Sequence, residues 1–99
     1  MGMMPRMGLD LLDLTFRLEK AFQIKLPKGS LIEEVWDRER RDLQAGRIHE
    51  KLCKLLEEHG RSVPFSSWHR VKVCIAAAVG VSPLQVKLDS WLIKELGCS

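Results

Sequence analysis

Few residues in this 99-residue chain have the type and spacing to do chemistry. His49 and Cys53 stand four apart, one helical turn, which is the spacing of half a metal site. Completing it needs a second pair, and none is evident: His59 falls too far round the same helix, leaving only His69. The pair therefore reads as structural or solvent-facing, with no metal expected. Cys53, Cys74 and Cys98 are far apart and odd in number, which argues against a disulfide framework and fits a reducing compartment. Cys53 and Cys74 read as small core residues, and Cys98 as an incidental exposed thiol, the alternative being one that carries a thioester or disulfide directly. There is no nucleophile–base–acid set and no phosphate-binding glycine loop, so the expectation is a protein without an active site. The run Asp37–Asp42, DRERRD, offers Arg38, Arg40 and Arg41 to an anion or nucleic acid. Its acidic neighbours cancel much of that field, and the reading is a solvated helix face with i,i+4 pairs.

These residues must be positioned by one domain, since 99 residues make a single core. A 45% hydrophobic and 29% charged composition is ordinary for a globular protein. No apolar run approaches the ~20 residues of a membrane span. Residues 1–7, MGMMPRM, read as a flexible start without a signal peptide or myristoylation motif, and the expected location is cytoplasmic. The net charge of +3 is spread among acidic residues and allows only weak attraction to anions.

Gly8 to Pro27 organises the rest. Leu11, Leu14, Leu18 and Phe22 recur at helical spacing, with Asp10, Asp13, Arg17 and Lys20 opposite, predicting an amphipathic helix. Phe22, Ile24 and Leu26 then alternate as an extended tail before Pro27. Ser30 and Glu33 predict a capping box for a second helix through Leu31, Ile32, Val35 and Trp36, charged in its second half and closed by Gly46. A third helix is expected from near Arg47, with Ile48, Leu52, Leu55 and Leu56 inward and Gly60 as its cap. Residues 61–65 form a linker. Ser66 or Ser67 is expected to cap a fourth helix with Val71, Cys74, Ile75 and Ala78 inward and Gly80 at its end. Ser82-Pro83 suggests a single turn, and Asp89 or Ser90 a cap for a last short helix, Trp91 to Leu96, stopped by Gly97. No strand is demanded. The expected fold is all-α, a bundle of about four to five helices in one domain.

Leu9-Asp10, the following leucines, Leu18-Glu19, Phe22, Ile24 and Leu26-Pro27 resemble the second helix of acyl carrier proteins. That helix opens with Asp-Ser-Leu in the family, and its serine carries the phosphopantetheine arm. Here Met7-Gly8-Leu9 stand in its place, so Gly8 occupies the serine position without a hydroxyl. Val71-Lys72, Cys74-Ile75-Ala76, Gly80-Val81, Val86, Asp89-Ser90, Ile93 and Glu95-Leu96-Gly97 are similar to the family's first helix and loop. The order is swapped. The resemblance implies a circular permutation, with residues 8–60 as the second-helix-onward part, 66–97 as the first-helix-and-loop part and 61–65 joining them, or else a domain-swapped dimer. Packing of Leu9, Leu92 and Leu96 would replace the missing covalent link.

Several expectations follow from the resemblance. The chain acts without catalysis in acyl or lipid-related metabolism, lacks the usual attachment site, and docks on acyl-transfer or lipid-biosynthesis enzymes through Leu9, Asp10, Asp13, Arg17 and Lys20. No cofactor is expected. The alternatives are a working carrier with 4'-phosphopantetheine on Ser99, brought near Leu9-Asp10 by the fold, and an unrelated anion- or nucleic-acid-binding module.

Overall fold

The computed structural model describes residues 11–26 and 30–97. Gly8, Leu9, Asp10, Pro27, Cys98 and Ser99 lie outside the described residues. Most of the described chain is helical: α1 (Leu11–Phe22), α2 (Ser30–Val35), α3 (Ala45–Glu58) and α4 (Ser67–Val79), followed by a tight 3-10 turn, Pro83–Gln85, and a terminal helical segment, Leu92–Gly97. Between α2 and α3 lies a hairpin of two short antiparallel strands, β1 (Trp36–Asp37) and β2 (Asp42–Leu43), with Trp36 opposite Leu43 and Asp37 opposite Asp42.

The inner stripes fall where the 3.6-residue period puts them. Leu14 and Leu18 of α1, Ile48 and Leu52 of α3, and Val71 and Ile75 of α4 are all fully enclosed. Leu31 and Val35 of α2 join the same core, as do Leu43 and Leu92. Phe22, Ile24 and Leu26 alternate into it as an extended tail. Gln23 turns the chain there in the left-handed region, φ 52°, and the Glu19 carboxylate accepts the Leu26 N–H at 2.7 Å, folding the tail back on its own helix. The bare carbonyls at the end of α1 are met from elsewhere. The Arg61 guanidinium donates to the Phe22 and Gln23 carbonyls, and Arg70 of α4 to the Ala21 carbonyl. Cations suit that negative end of the helix dipole.

The α2 region differs from its expected course. The helix ends at Val35, and DRERRD forms the hairpin instead of a charged helix face. Asp37 starts the turn by accepting the Arg40 N–H on its side chain and the Arg41 N–H on its carbonyl, at 3.0 and 2.8 Å. Such Asx turns outcompete a helix whose outer face has nothing to bury. Arg40 lies over the Trp91 ring, 4.7 Å from its centroid, and no i,i+4 ion pair joins this run among the described residues.

Three expected caps are also replaced. Gly46 does not close a helix; it sits in the first turn of α3, which starts at Ala45. The Ala45 and Gly46 N–H groups donate to the Ser90 and Leu88 carbonyls at 2.9 and 2.7 Å, so backbone takes the place of a side-chain cap. Neither serine caps α4: the Ser66 hydroxyl accepts from Arg70, and the Ser67 hydroxyl turns to His49. Neither Asp89 nor Ser90 caps the last segment. The Ser90 hydroxyl accepts the Lys87 N–H, while buried Asp42 receives the Ile93 and Lys94 N–H groups. The Ser30 side chain is outside the described residues. Gly60 and Gly80 do end α3 and α4, both with positive φ, and the Arg61 and Gly60 N–H groups close a Schellman pair on Leu56 and Glu57.

At Gly46 the requirement is closeness. A Cβ there would stand 2.7 Å from the Leu88 carbonyl oxygen, a backbone atom with little room to retreat. Gly46→Ala is expected to lower stability by ~1–3 kcal/mol, despite alanine's better helix propensity, because overpacking outweighs it. Urea unfolding checks this; a stabilised variant would show that the 44–46 and 88–91 segments separate easily.

Candidate functional site

On a helical wheel, Leu12, Asp13, Phe16, Arg17 and Lys20 share one arc of α1, opposite Leu14, Leu18 and Phe22. Arg17 and Lys20 are exposed and Asp13 is half-buried. The Arg17 Nε donates to Asp13 Oδ2 at 2.7 Å, and this hydrogen bond, reinforced by the carboxylate's charge, holds the guanidinium proton more firmly than usual. Both side chains keep a large share of their surface in solvent, 45% for Arg17 and 40% for Asp13, so the pair orders the rim more than it stabilises the fold.

Within that rim sit two large apolar side chains that the charge pattern concealed. Leu12 is 48% and Phe16 54% exposed. The signal was present: Leu12 and Phe16 are four apart and out of phase with the inner Leu14–Leu18 stripe. Past Phe16 runs an open groove of about 480 Å³ bordered by Lys20, Ile24 and Leu26. Of the five residues expected to meet a partner, Asp13, Arg17 and Lys20 come together here; Leu9 and Asp10 are outside the described residues, as are Gly8 and Ser99.

The opposite surface of α1 rests on α4. The Cys74 thiol, buried at 7% exposure, donates to the Arg17 carbonyl, and Arg70 lies over the Phe22 ring. Burial raises the Cys74 pKa, leaving this thiol a core residue.

A second cluster joins α3 to α4. His49 Nε2 lies 2.9 Å from Ser67 Oγ and 3.4 Å from Cys53 Sγ, with the imidazole tilted against Trp68 at 5.6 Å. Spacing alone paired His49 with Cys53; the third member arrives from 18 residues on and left no local signal. Burial pushes the His49 pKa below its ordinary value, partly opposed by Glu50, and burial pushes the Cys53 pKa up. His59 bonds its own Leu55 carbonyl and is not part of the cluster. No group of three or more His, Cys, Asp or Glu side chains suited to a metal occurs among the described residues.

A depressed histidine pKa means the unfolded chain takes up the proton first as pH falls. Stability is therefore expected to decline as pH drops below ~6.5 and to level off beneath the native pKa. With a chelator present, His49→Gln is expected to flatten this slope between pH 7.5 and 5.5 in thermal unfolding. An unchanged slope would assign it to other groups.

Lys51 of α3 reaches Glu34 of α2 at 2.6 Å. No helix among the described residues is long and apolar enough to cross a membrane. Comparison with protein-family models, with curated proteins and with solved structures finds no match to the chain.

Proposed function

We propose that this chain is a non-enzymatic, acyl-carrier-like helical bundle in permuted order, docking on acyl-transfer or lipid-biosynthesis enzymes through the outer arc of α1. The carrying observation is that arc itself: Leu12 and Phe16 exposed beside Lys20 and the Asp13–Arg17 pair, on the helix whose sequence resembles the family's second helix. An apolar anchor ringed by charge is how protein interfaces are commonly built. The permuted order requires α1 to lie against α4, which are distant in sequence, and Cys74 and Arg70 both reach α1. It also requires Leu92 and Leu96 to pack inward; Leu92 is enclosed and Leu96 half-buried against the core. Gly8 offers no side-chain hydroxyl for a phosphopantetheine arm, so the chain docks without carrying one.

The reading is tested by titrating the full chain against a panel of purified acyl-transferring enzymes, a phosphopantetheinyl transferase among them. Saturable binding is expected, weakened about tenfold or more (~1.4 kcal/mol) by Arg17→Glu with Lys20→Glu, and likewise by Leu12→Ala with Phe16→Ala. Binding indifferent to all four substitutions would remove α1 as the docking face. Binding to nucleic acid alone, falling steeply with salt, would replace the reading with a polyanion-binding one.

A further inference from the structure

Charge is placed unevenly along the outer arc of α1. The Asp13–Arg17 pair near its start is internally neutral. Past that pair the balance turns positive. Lys20 and Lys25 border the groove beside Phe16, both exposed, and neither has an ion-pair partner among the described residues. Glu19 borders the same groove, but its carboxylate is engaged by the Leu26 N–H. The carbonyls that make this end of the helix negative are already met by Arg61 and Arg70. Neither arginine has a carboxylate partner among the described residues. Lys20 and Lys25 are therefore not needed to balance the helix, and they stand beside apolar surface.

The shape of that surface narrows what can cover it. Leu12 and Phe16 are both exposed, and Leu12 to Lys20 spans ~12 Å at 1.5 Å per residue, about two helical turns. An apolar row of this length beside an open groove suits a second helix anchored at i, i+3 or i+4, and i+7. A nucleic-acid backbone calls for cations along its whole length, whereas this arc is neutral at one end and apolar in the middle. A helix lying in a lipid surface carries lysine and arginine across its polar face, and here Asp13 and Glu19 interrupt them.

Resting on the docking reading above, we propose that α1 meets an acidic amphipathic helix of the partner protein. The partner's apolar row lies along Leu12 and Phe16, and its carboxylates lie over Lys20 and Lys25. The apolar row supplies most of the affinity, since exposed ion pairs are individually weak. The charges steer the encounter and fix the register. A basic helix of the same shape is repelled at the same place, which gives selectivity.

The probe is a pair of labelled, ~15-residue helical peptides sharing one row of leucines, flanked by glutamates in one and lysines in the other. Each is titrated against the full chain by fluorescence anisotropy. The glutamate peptide is expected to bind at least about tenfold more tightly, and to weaken several-fold between ~50 and ~200 mM NaCl. Lys20→Glu with Lys25→Glu should reverse the preference, and Leu12→Ala with Phe16→Ala should abolish binding of the glutamate peptide. All four side chains are exposed, and helical circular dichroism verifies that the variants fold. No binding of the glutamate peptide, equal binding of the two, or a preference that survives Lys20→Glu with Lys25→Glu would overturn the proposal. So would binding of duplex DNA or phosphatidylglycerol vesicles in place of the peptide. The enzyme panel separates this failure from that of docking itself. Enzyme binding lost with Leu12→Ala and Phe16→Ala but untouched by Lys20→Glu with Lys25→Glu keeps α1 as the docking face and removes only the acidic helix.

Discussion

Asp42→Ala is expected to destabilise the chain by about 3–5 kcal/mol, the largest effect of any single polar substitution in the fold. The Asp42 carboxylate has no solvent exposure. Its Oδ1 accepts the Leu43 and Ile93 N–H groups at 2.7 and 2.8 Å, and Oδ2 accepts that of Lys94 at 2.9 Å. Alanine removes the acceptor of three N–H groups, Leu43 in the buried interior and Ile93 and Lys94 where the bonds are partly buried, and each buried orphan costs ~1–3 kcal/mol before relaxation. The loss is not local. Asp42 is what joins the hairpin to the terminal segment, where the Leu96 N–H reaches back five residues to the Trp91 carbonyl in a wide turn. Freed of it, Leu92 loses its hold on the core. Asp42→Asn should fall between, because the amide can offer one oxygen but must turn N–H against N–H at the other site. Denaturant unfolding checks both; a loss under ~1 kcal/mol for alanine would mean that water or neighbouring carbonyls take over the three donors.

The second large effect is expected at Leu18→Ala, about 3–4 kcal/mol, in the middle of the range for enclosed leucines. Leu18 is 0% exposed and directly follows Arg17, whose carbonyl meets the Cys74 thiol. Around it α1 and α4 are pinned by Arg70 at the helix end, so the walls cannot collapse readily into the gap. A cost near 1 kcal/mol would show that α1 slides to fill it, contrary to a firmly docked helix. The outer arc contrasts with this: Leu12→Ala and Phe16→Ala should leave stability nearly unchanged while weakening partner binding.

What the sequence reveals and conceals here follows from the range of each interaction. The faces of α1, α3 and α4 repeat every three or four residues, so Leu14–Leu18, Ile48–Leu52 and Val71–Ile75 announce their burial locally. Gly60 and Gly80 do the same for helix ends, because a positive φ is a local demand. The first turn of α3 and the start of the terminal segment depend on distant partners. Gly46 is small because Leu88 passes 42 positions later, and Asp42 is acidic because Ile93 and Lys94 need an acceptor 51 and 52 positions on. Nothing near either residue states that need. DRERRD reads as a helix because it has no breaker; the turn chemistry of Asp37 and the left-handed Arg41, φ 55°, decide otherwise. At the site, Asp13, Arg17 and Lys20 were legible as an outward arc. Leu12 and Phe16 were hidden only because leucine and phenylalanine are expected inside.

We propose a carrier-like chain that docks without carrying an arm. The most direct measurement is the intact mass of the full chain after incubation with coenzyme A and a broad-specificity phosphopantetheinyl transferase. A folded helical protein of unchanged mass is expected. A single added arm mapping to Ser99 would contradict it, showing a working carrier whose attachment site is assembled from both ends of the chain.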